Sequence, residues 1–338
     1  MAVRLKDIAA DLGVSTVTVS KVLRGGLDIG ERTRARVLKR MAELNYQPNM
    51  QARGLASGRS FAIGLVVPDL VHPFFGEFAK SLAGALRPSG LALVLSSSEE
   101  DPEIERQEIR TLVNRGVDVL LVASCQNIEE AEFSTDGGPP LLLIDRNIPR
   151  LGTDFVGSND VLVGELATRH LIGLGRKRIA HIGGQRTSPS IDRLKGFRTA
   201  LGVAGIKLSK SNVVTRERFE ETGDSAGYRA MQELLAQKQR PDAVFCYNDL
   251  SAIGAMQAAI QAGLSIPGDI AFVGCGNIRY AEYLKVPLTS VDQSIQRMGE
   301  AAARRVLVLA TKPDEDAPQT AFVEPKLIVR QSTVAGSA

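Results

Sequence analysis

The run Gly13–Leu23, GVSTVTVSKVL, constrains the fold of this chain more than any other stretch. Valine and threonine alternate through it, and propensity alone makes that a β-strand. Immediately upstream, RLKDIAADLG carries Ile8, Ala9 and Leu12 at helical spacing. Treating Ser15–Leu23 as a helix resolves the conflict. Val19, Val22 and Leu23 then fall on one side at i, i+3, i+4, and Thr16, Val17, Ser20 and Lys21 fall on the other. Gly13 supplies a C-cap able to take positive φ, and Ser15 supplies an N-cap. Two short helices joined by a glycine turn are a helix-turn-helix. Small or polar outward residues suit a helix that approaches base edges in the major groove of DNA.

Charge agrees with that reading. Residues 1–60 hold eleven Lys or Arg against five Asp or Glu, a net of +6, which leaves −3 for the rest of a +3 chain. A small basic head on a slightly acidic body has the composition of a polyanion-binding module. A third helix is expected over Glu31–Asn45, with Val37, Leu38, Met41 and Leu44 as its apolar stripe and its arginines toward solvent or phosphate. In the following YQPNMQARGLASGRS, Pro48 can start a helix, but Gly54 and Ser57 weaken it.

LKDIAADLGVSTVTVSKVL, ERTRARV and ELNYQPNMQARGLA together resemble the head of the lactose-repressor (LacI/GalR) family. The resemblance implies that Thr16, Val17 and Lys21 read bases. It also implies that Ser15, Ser20, Arg24, Thr33, Tyr46 and Asn49 sit on phosphates, and that residues from about 48 form a hinge helix. Leu55, with Ala52 and Arg53, would then enter the minor groove, where such wedges kink the duplex. Val17 offers only apolar contact, as to a thymine methyl, and Lys21 reaches either guanine or phosphate. Arg24 departs from the family, which often has asparagine there.

From Phe61 the pattern changes. FAIGLVVP, LALVLSS, VDVLLVA, PLLLID and FVGSN read as buried parallel strands, followed by a second series, RIAHIGG, NVVT, DAVFCYND, IAFVGCG and LTSVD, with helical segments between. Two βαβ series mean an α/β body of two doubly wound parallel sheets, with ligand expected in the cleft beyond the strand ends. Asp145, Arg146, Asn248 and Asp249 end strands there, Arg193 opens a helix, and Phe75 faces the cleft. Phe219 is a further cleft aromatic. Carboxylates and guanidiniums give bidentate bonds to polyhydroxyl ligands, and an aromatic face stacks on a sugar ring.

The body resembles the same family's effector domain, which is related to periplasmic sugar-binding proteins. VPDLVHPFF, LIGLGRKRIAHIGG, DRLKGFRTAL and PLTSVDQSIQRMGEAAA carry the likeness. It implies three crossings between lobes. The expected domains are a head at 1–47, a hinge and linker at 48–59, and an effector-binding and dimerisation body at 60–338. Within the body, the first lobe takes about 60–159 and 292–320, and the second about 160–291 and 321–338. One departure stands out: GCGN, residues 274–277, places Gly276 where the family usually has a ligand-binding aspartate.

Other classes fit poorly. GDSAG at 223–227 matches a nucleophile elbow, but that triad needs a histidine after the serine, and the last one is His181. The three histidines and three cysteines share no metal-ligand spacing, and Cys125, Cys246 and Cys275 read as buried free thiols. No cofactor and no metal are expected. Without an apolar h-region at the start or an apolar run of about 20 residues, export and membrane insertion are not expected. The expectation is a cytoplasmic, homodimeric DNA-binding regulator, a repressor tuned by a sugar-like effector on a pseudo-palindromic operator. The rival reading is an exported sugar-binding protein with a vestigial head.

Overall fold

The computed structural model describes residues 3–23, 28–46, 58–129, 131, 133, 137–215, 223–311 and 317–334. The chain divides into two compact units, Met1–Ser60 and Phe61–Ala338.

In the first unit, α1 (Leu5–Leu12), α2 (Thr16–Leu23) and α3 (Glu31–Glu43) surround a core of Ile8, Ala9, Val19, Val22, Val37 and Met41. The Val/Thr run is helical because its strand preference is worth only tenths of a kcal/mol per residue, whereas burying one valine is worth about 1.5–3 kcal/mol. Gly13 ends α1 at φ +64, with its N–H and that of Val14 donating to Ala10 and Ala9 carbonyls. The Ser15 hydroxyl accepts from the Thr18 N–H at 3.0 Å and so caps α2.

Two expectations for α3 change. Leu38 is 50% exposed, since Val37, Met41 and Leu44 already fill the i, i+4, i+7 face against the other helices. Its arginines are not all turned to solvent or phosphate: Arg36 donates to the Leu12 carbonyl at 3.1 Å, an orphan acceptor at the end of α1. Arg40 donates to Asp11 at 2.6 Å and to Glu43 at 3.0 Å.

The second unit holds two six-stranded sheets. In the first, β1 (Ala62–Val67), β2 (Ala92–Ser97), β3 (Val119–Val122), β4 (Leu141–Ile144), β5 (Asp154–Ser158) and β11 (Thr320–Val323) lie in the order β11-β5-β4-β3-β1-β2, all parallel. The second takes β6 (Ile179–Ile182), β7 (Val213–Val214), β8 (Ala243–Cys246), β9 (Ala271–Cys275), β10 (Thr289–Asp292) and β12 (Lys326–Ile328), in the order β12-β10-β9-β8-β6-β7. β12 runs antiparallel to β10, so this sheet is not wholly parallel as expected. β12 arrives from β11 by a short link with no crossover helix, and only a crossover imposes the parallel sense. β2 is an edge strand, half-exposed rather than buried.

Helices α4 (Pro73–Leu86) and α5 (Pro102–Asn114) cover the first sheet, joined by the returning α10 (Ile295–Leu309). The second sheet carries α6 (Asp160–Gly173), α7 (Ser188–Val203), α8 (Gly223–Leu235) and α9 (Asp249–Gln261). Because β11 still pairs with β5, the last return to the second sheet comes after Val323 rather than after residue 320.

Glycine sets the helix spacing. A β-carbon on Gly164 would overlap the Arg193 carbonyl, and one on Gly196 the Val161 carbonyl, so α6 and α7 touch backbone to backbone. Gly227 and Gly254 do the same for α8 and α9 against Ser251 and Asp224. Among the described residues, no helix is long and apolar enough to cross a membrane. Cys125, Cys246 and Cys275 are buried free thiols.

Candidate functional site

The head presents α2. Thr16 and Val17 are exposed, Val17 by 58%, while Ser20 and Lys21 are half-buried one turn further on. Val17 thus presents apolar surface and no hydrogen-bonding group on the outer face of α2. The Lys21 ammonium is ion-paired with Asp28, in the connection before α3. Ser15 is committed as the cap of α2, and Tyr46 packs partly on the head core. Thr33 lies in the first turn of α3, half-buried. Arg24, Asn49, Ala52, Arg53 and Leu55, with most of the 48–59 hinge, lie outside the described residues.

In the body, strand ends, the loops after them and residues of the neighbouring helices line a cleft of about 1400 Å³. β4 delivers Asp145 and Arg146, β8 delivers Tyr247 and Asn248, β9 ends at Cys275 before Gly276, and Gln293 follows β10. Asp145 takes φ +58, and the Arg146 N–H folds back on the Ile144 carbonyl at 2.5 Å, so the chain turns sharply as it leaves the sheet. Glu99 and Glu100, also cleft residues, take φ +51 and +58. Non-glycine residues in that region cost about 1–3 kcal/mol each and cluster where function holds them.

Arg193 is the most constrained of these groups. Its Nε donates to Asp160 at 2.7 Å, its Nη1 to the Tyr247 carbonyl at 2.7 Å, and its guanidinium lies 4.8 Å from the Tyr247 ring centroid. Burial opposes its charge, but Asp160 and its other neighbours outweigh burial and hold it charged above its ordinary range. Burial pushes Asp145 and Asp160 up, while Arg193 draws both back toward the carboxylate form. Arg146 donates to the Ser124 carbonyl at 3.0 Å, lies 3.8 Å from Glu100, and covers the Phe75 ring at 5.9 Å. Phe75 therefore meets the cleft with one face already beside a guanidinium and its edge T-shaped on Phe74.

Four polar atoms of cleft residues are buried without a hydrogen-bond partner among the described residues: the donors Arg146 Nε and Gln293 Nε2, the acceptor Gln185 Oε1, and Thr187 Oγ1, which can serve as either. A ligand carrying both acceptors and donors, as a hydroxyl does, completes them. The lobes also meet directly. Asn248 Nδ2 lies 3.2 Å from His72 Nε2, Gln185 donates to Glu100, and the Asn147 N–H donates to Ser188 at 2.7 Å.

Asp249 does not line the cleft. Its Oδ1 accepts from the Ser290 hydroxyl at 2.6 Å and its Oδ2 from the Ile278 N–H at 2.8 Å, which ties the start of α9 to the β9–β10 loop. Both oxygens are used, so its role is a brace. Asn248 caps α9 through Ser251 at 2.8 Å and still faces the cleft with its amide nitrogen. Gly276 takes φ +121, a conformation that would strain an aspartate, and it contributes no side chain to the cleft. Phe219 lies outside the described residues. Tyr247 and Gln293 were missed, although both sit just past a strand end and the strand-end rule reaches them. His72, Glu100 and Gln185 are brought in by loops and carry no sequence signal.

The family model "Bacterial regulatory proteins, lacI family" matches residues 4–49, and "Periplasmic binding protein-like domain" matches residues 168–333. The chain is similar to the HTH-type transcriptional repressor PurR of Erwinia tasmaniensis, at 36% identity over 98% of this chain and 97% of that one. Among solved structures it is similar to a transcriptional regulator CelR–cellobiose complex, at 29% identity and TM-score 0.71 over 98% of this chain and 99% of that one. It shares its fold with the lac repressor dimer bound to operator and the anti-inducer ONPF, at 24% identity and TM-score 0.81 over 99% of this chain and 100% of that one.

Proposed function

The chain belongs to the lacI family of bacterial regulatory proteins, and on that premise we propose that it is a cytoplasmic homodimeric repressor whose grip on a pseudo-palindromic operator is set by a small polar effector. It is a DNA-binding transcriptional regulator and not an enzyme. The observation that carries this reading is a helix-turn-helix with an exposed reading face in one chain with a two-sheet cleft, alike along almost the whole length to a repressor.

In this reading Thr16, Val17 and Lys21 meet bases, and Ser15, Ser20, Thr33, Tyr46, Arg24 and Asn49 fix the head on phosphates. The segment 48–59 is the hinge, with Ala52, Arg53 and Leu55 in the minor groove. The effector is a sugar or sugar derivative held by Asp145, Arg146, Arg193 and Asn248, with Tyr247 and Gln293, beside Phe75. Support comes from the unpartnered donors and acceptors of the cleft and from the cellobiose complex of a relative. Closing the lobes on ligand shifts the dimer geometry and so biases hinge order, a coupling of typically about 1–3 kcal/mol.

The test is selection of duplex DNA from a random pool by the purified full-length protein at near-physiological salt, since affinity falls steeply with salt. A recovered palindrome with a flexible central step supports the regulator reading. No enrichment, with or without a pool of metabolites, refutes it.

A further inference from the structure

Lys21 stands one helical turn after Val17 on the outer face of α2, where i and i+4 side chains are neighbours. A lysine there would ordinarily be a mobile cation that meets any phosphate. In this chain its ammonium is ion-paired with the carboxylate of Asp28, seven residues on and across the turn that leads to α3. Lys21 keeps two further N–H donors with no partner among the described residues, because an ammonium has three and only one is given to Asp28. The hydrogen bond from Lys21 also holds the Asp28 carboxyl below its ordinary range, so the partner is ionised at neutral pH.

We propose that Asp28 is a specificity-determining residue of the DNA-reading surface, converting Lys21 from a free cation into a fixed, net-neutral hydrogen-bond donor. The proposal rests on the reading of α2 as the helix that meets DNA. Non-specific binding is driven by counterion release, to which only uncompensated cations contribute. Paired with Asp28, Lys21 releases no counterion at a random sequence, and leaving Asp28 for a phosphate would strand a carboxylate beside a polyanion. Its two remaining donors still serve a base acceptor, such as guanine O6 or N7, at a matched site. The pair therefore lowers affinity for random DNA more than affinity for the operator.

The test uses the full-length chain, its Asp28→Asn and Lys21→Ala variants, and the double variant. Each is titrated with a random-sequence duplex of about 30 base pairs and with the duplex recovered by selection, across a salt series. An exposed pair adds little to stability, so all the variants fold. Asp28→Asn is expected to tighten binding to the random duplex about fivefold and to steepen the log–log salt dependence by about one per head, the value of one freed cation. It tightens binding to the selected duplex less, so the ratio of the two affinities falls. With alanine at 21, the same change at 28 leaves the salt slope where it was.

Equal tightening with lysine or alanine at 21 would mean that Asp28 acts only as a like charge beside DNA, and that overturns the proposal. An unchanged slope in the single variant overturns it as well. A wild-type chain that binds neither duplex removes the DNA-reading premise, a failure distinct from the other two because it appears before any substitution is made.

Discussion

His181 lies in β6, stacked against Phe197 and Phe245 at centroid distances of 5.3 and 4.9 Å. Its Nδ1 is 3.0 Å from the Phe245 carbonyl, which only accepts, so Nδ1 carries the proton; Nε2 has no partner among the described residues. Burial lowers its pKa from the ordinary 6.5 to about 4. The sign follows from linkage: between those values the unfolded chain binds a proton that the folded chain refuses, so stability falls as pH drops from about 6.5 to about 4. The loss reaches at most about 3 kcal/mol. Asp249, raised by burial to about 6, acts in the opposite direction over an overlapping range. The observable is therefore the difference between wild type and His181→Phe in urea denaturation at a series of pH values. The variant is expected to lose less stability on acidification, and parallel curves would refute a buried neutral His181. At the proposed hinge, Leu55→Ala is expected to weaken operator binding by more than a few-fold while leaving effector binding intact, read by titrating each ligand. Equal DNA binding would remove the wedge role.

At the scale of elements, helix contacts do more than propensity. α2 is built from residues that prefer strands, yet Val19 and Val22 reach the core only if the segment is helical. That outcome was legible from spacing, because three apolar side chains repeat at 3.6 and the polar ones fill the opposite face. The Arg36 and Arg40 staples were not legible, since nothing in ERTRARVLKR says which arginines find the end of α1. The glycine crossings are equally silent: Gly164, Gly196, Gly227 and Gly254 look like ordinary interruptions until the paired helix is seen. Gly254→Ala would drive a β-carbon into the Asp224 carbonyl, so α8 and α9 must part. The expected cost is about 1–3 kcal/mol, as for overpacking elsewhere, measured as a shift in urea midpoint at constant slope. Gly202→Ala, with open space at that position, is the control and is expected to be neutral or slightly stabilising.

For the whole molecule, the cleft is where residues from the two lobes meet. His72 to Asn248, Gln185 to Glu100 and Asn147 to Ser188 join the lobes, and the proposed effector lies among the same residues. A ligand that binds only the folded body at 100 times its Kd should raise unfolding free energy by about 2.7 kcal/mol. Whatever factor the effector applies to operator affinity, the operator must apply to effector affinity. Titrating effector with and without the selected duplex measures that factor, and a factor of one would exclude effector control of operator binding. The sequence by itself determined the alternation of strands and helices, the basic head, the strand-end positions of Asp145, Arg146 and Asn248, and the absence of a hydrolase triad order. Those depend on local periodicity, composition and chain order, which one chain displays directly. Tertiary structure alone decided that Asp249 braces a loop, that Lys21 answers to Asp28, and that β12 runs antiparallel. It also decided that His72, Glu100 and Gln185 share the cleft. Each of these is a contact between segments whose meeting depends on how the sheets and loops pack, and no local spacing encodes that.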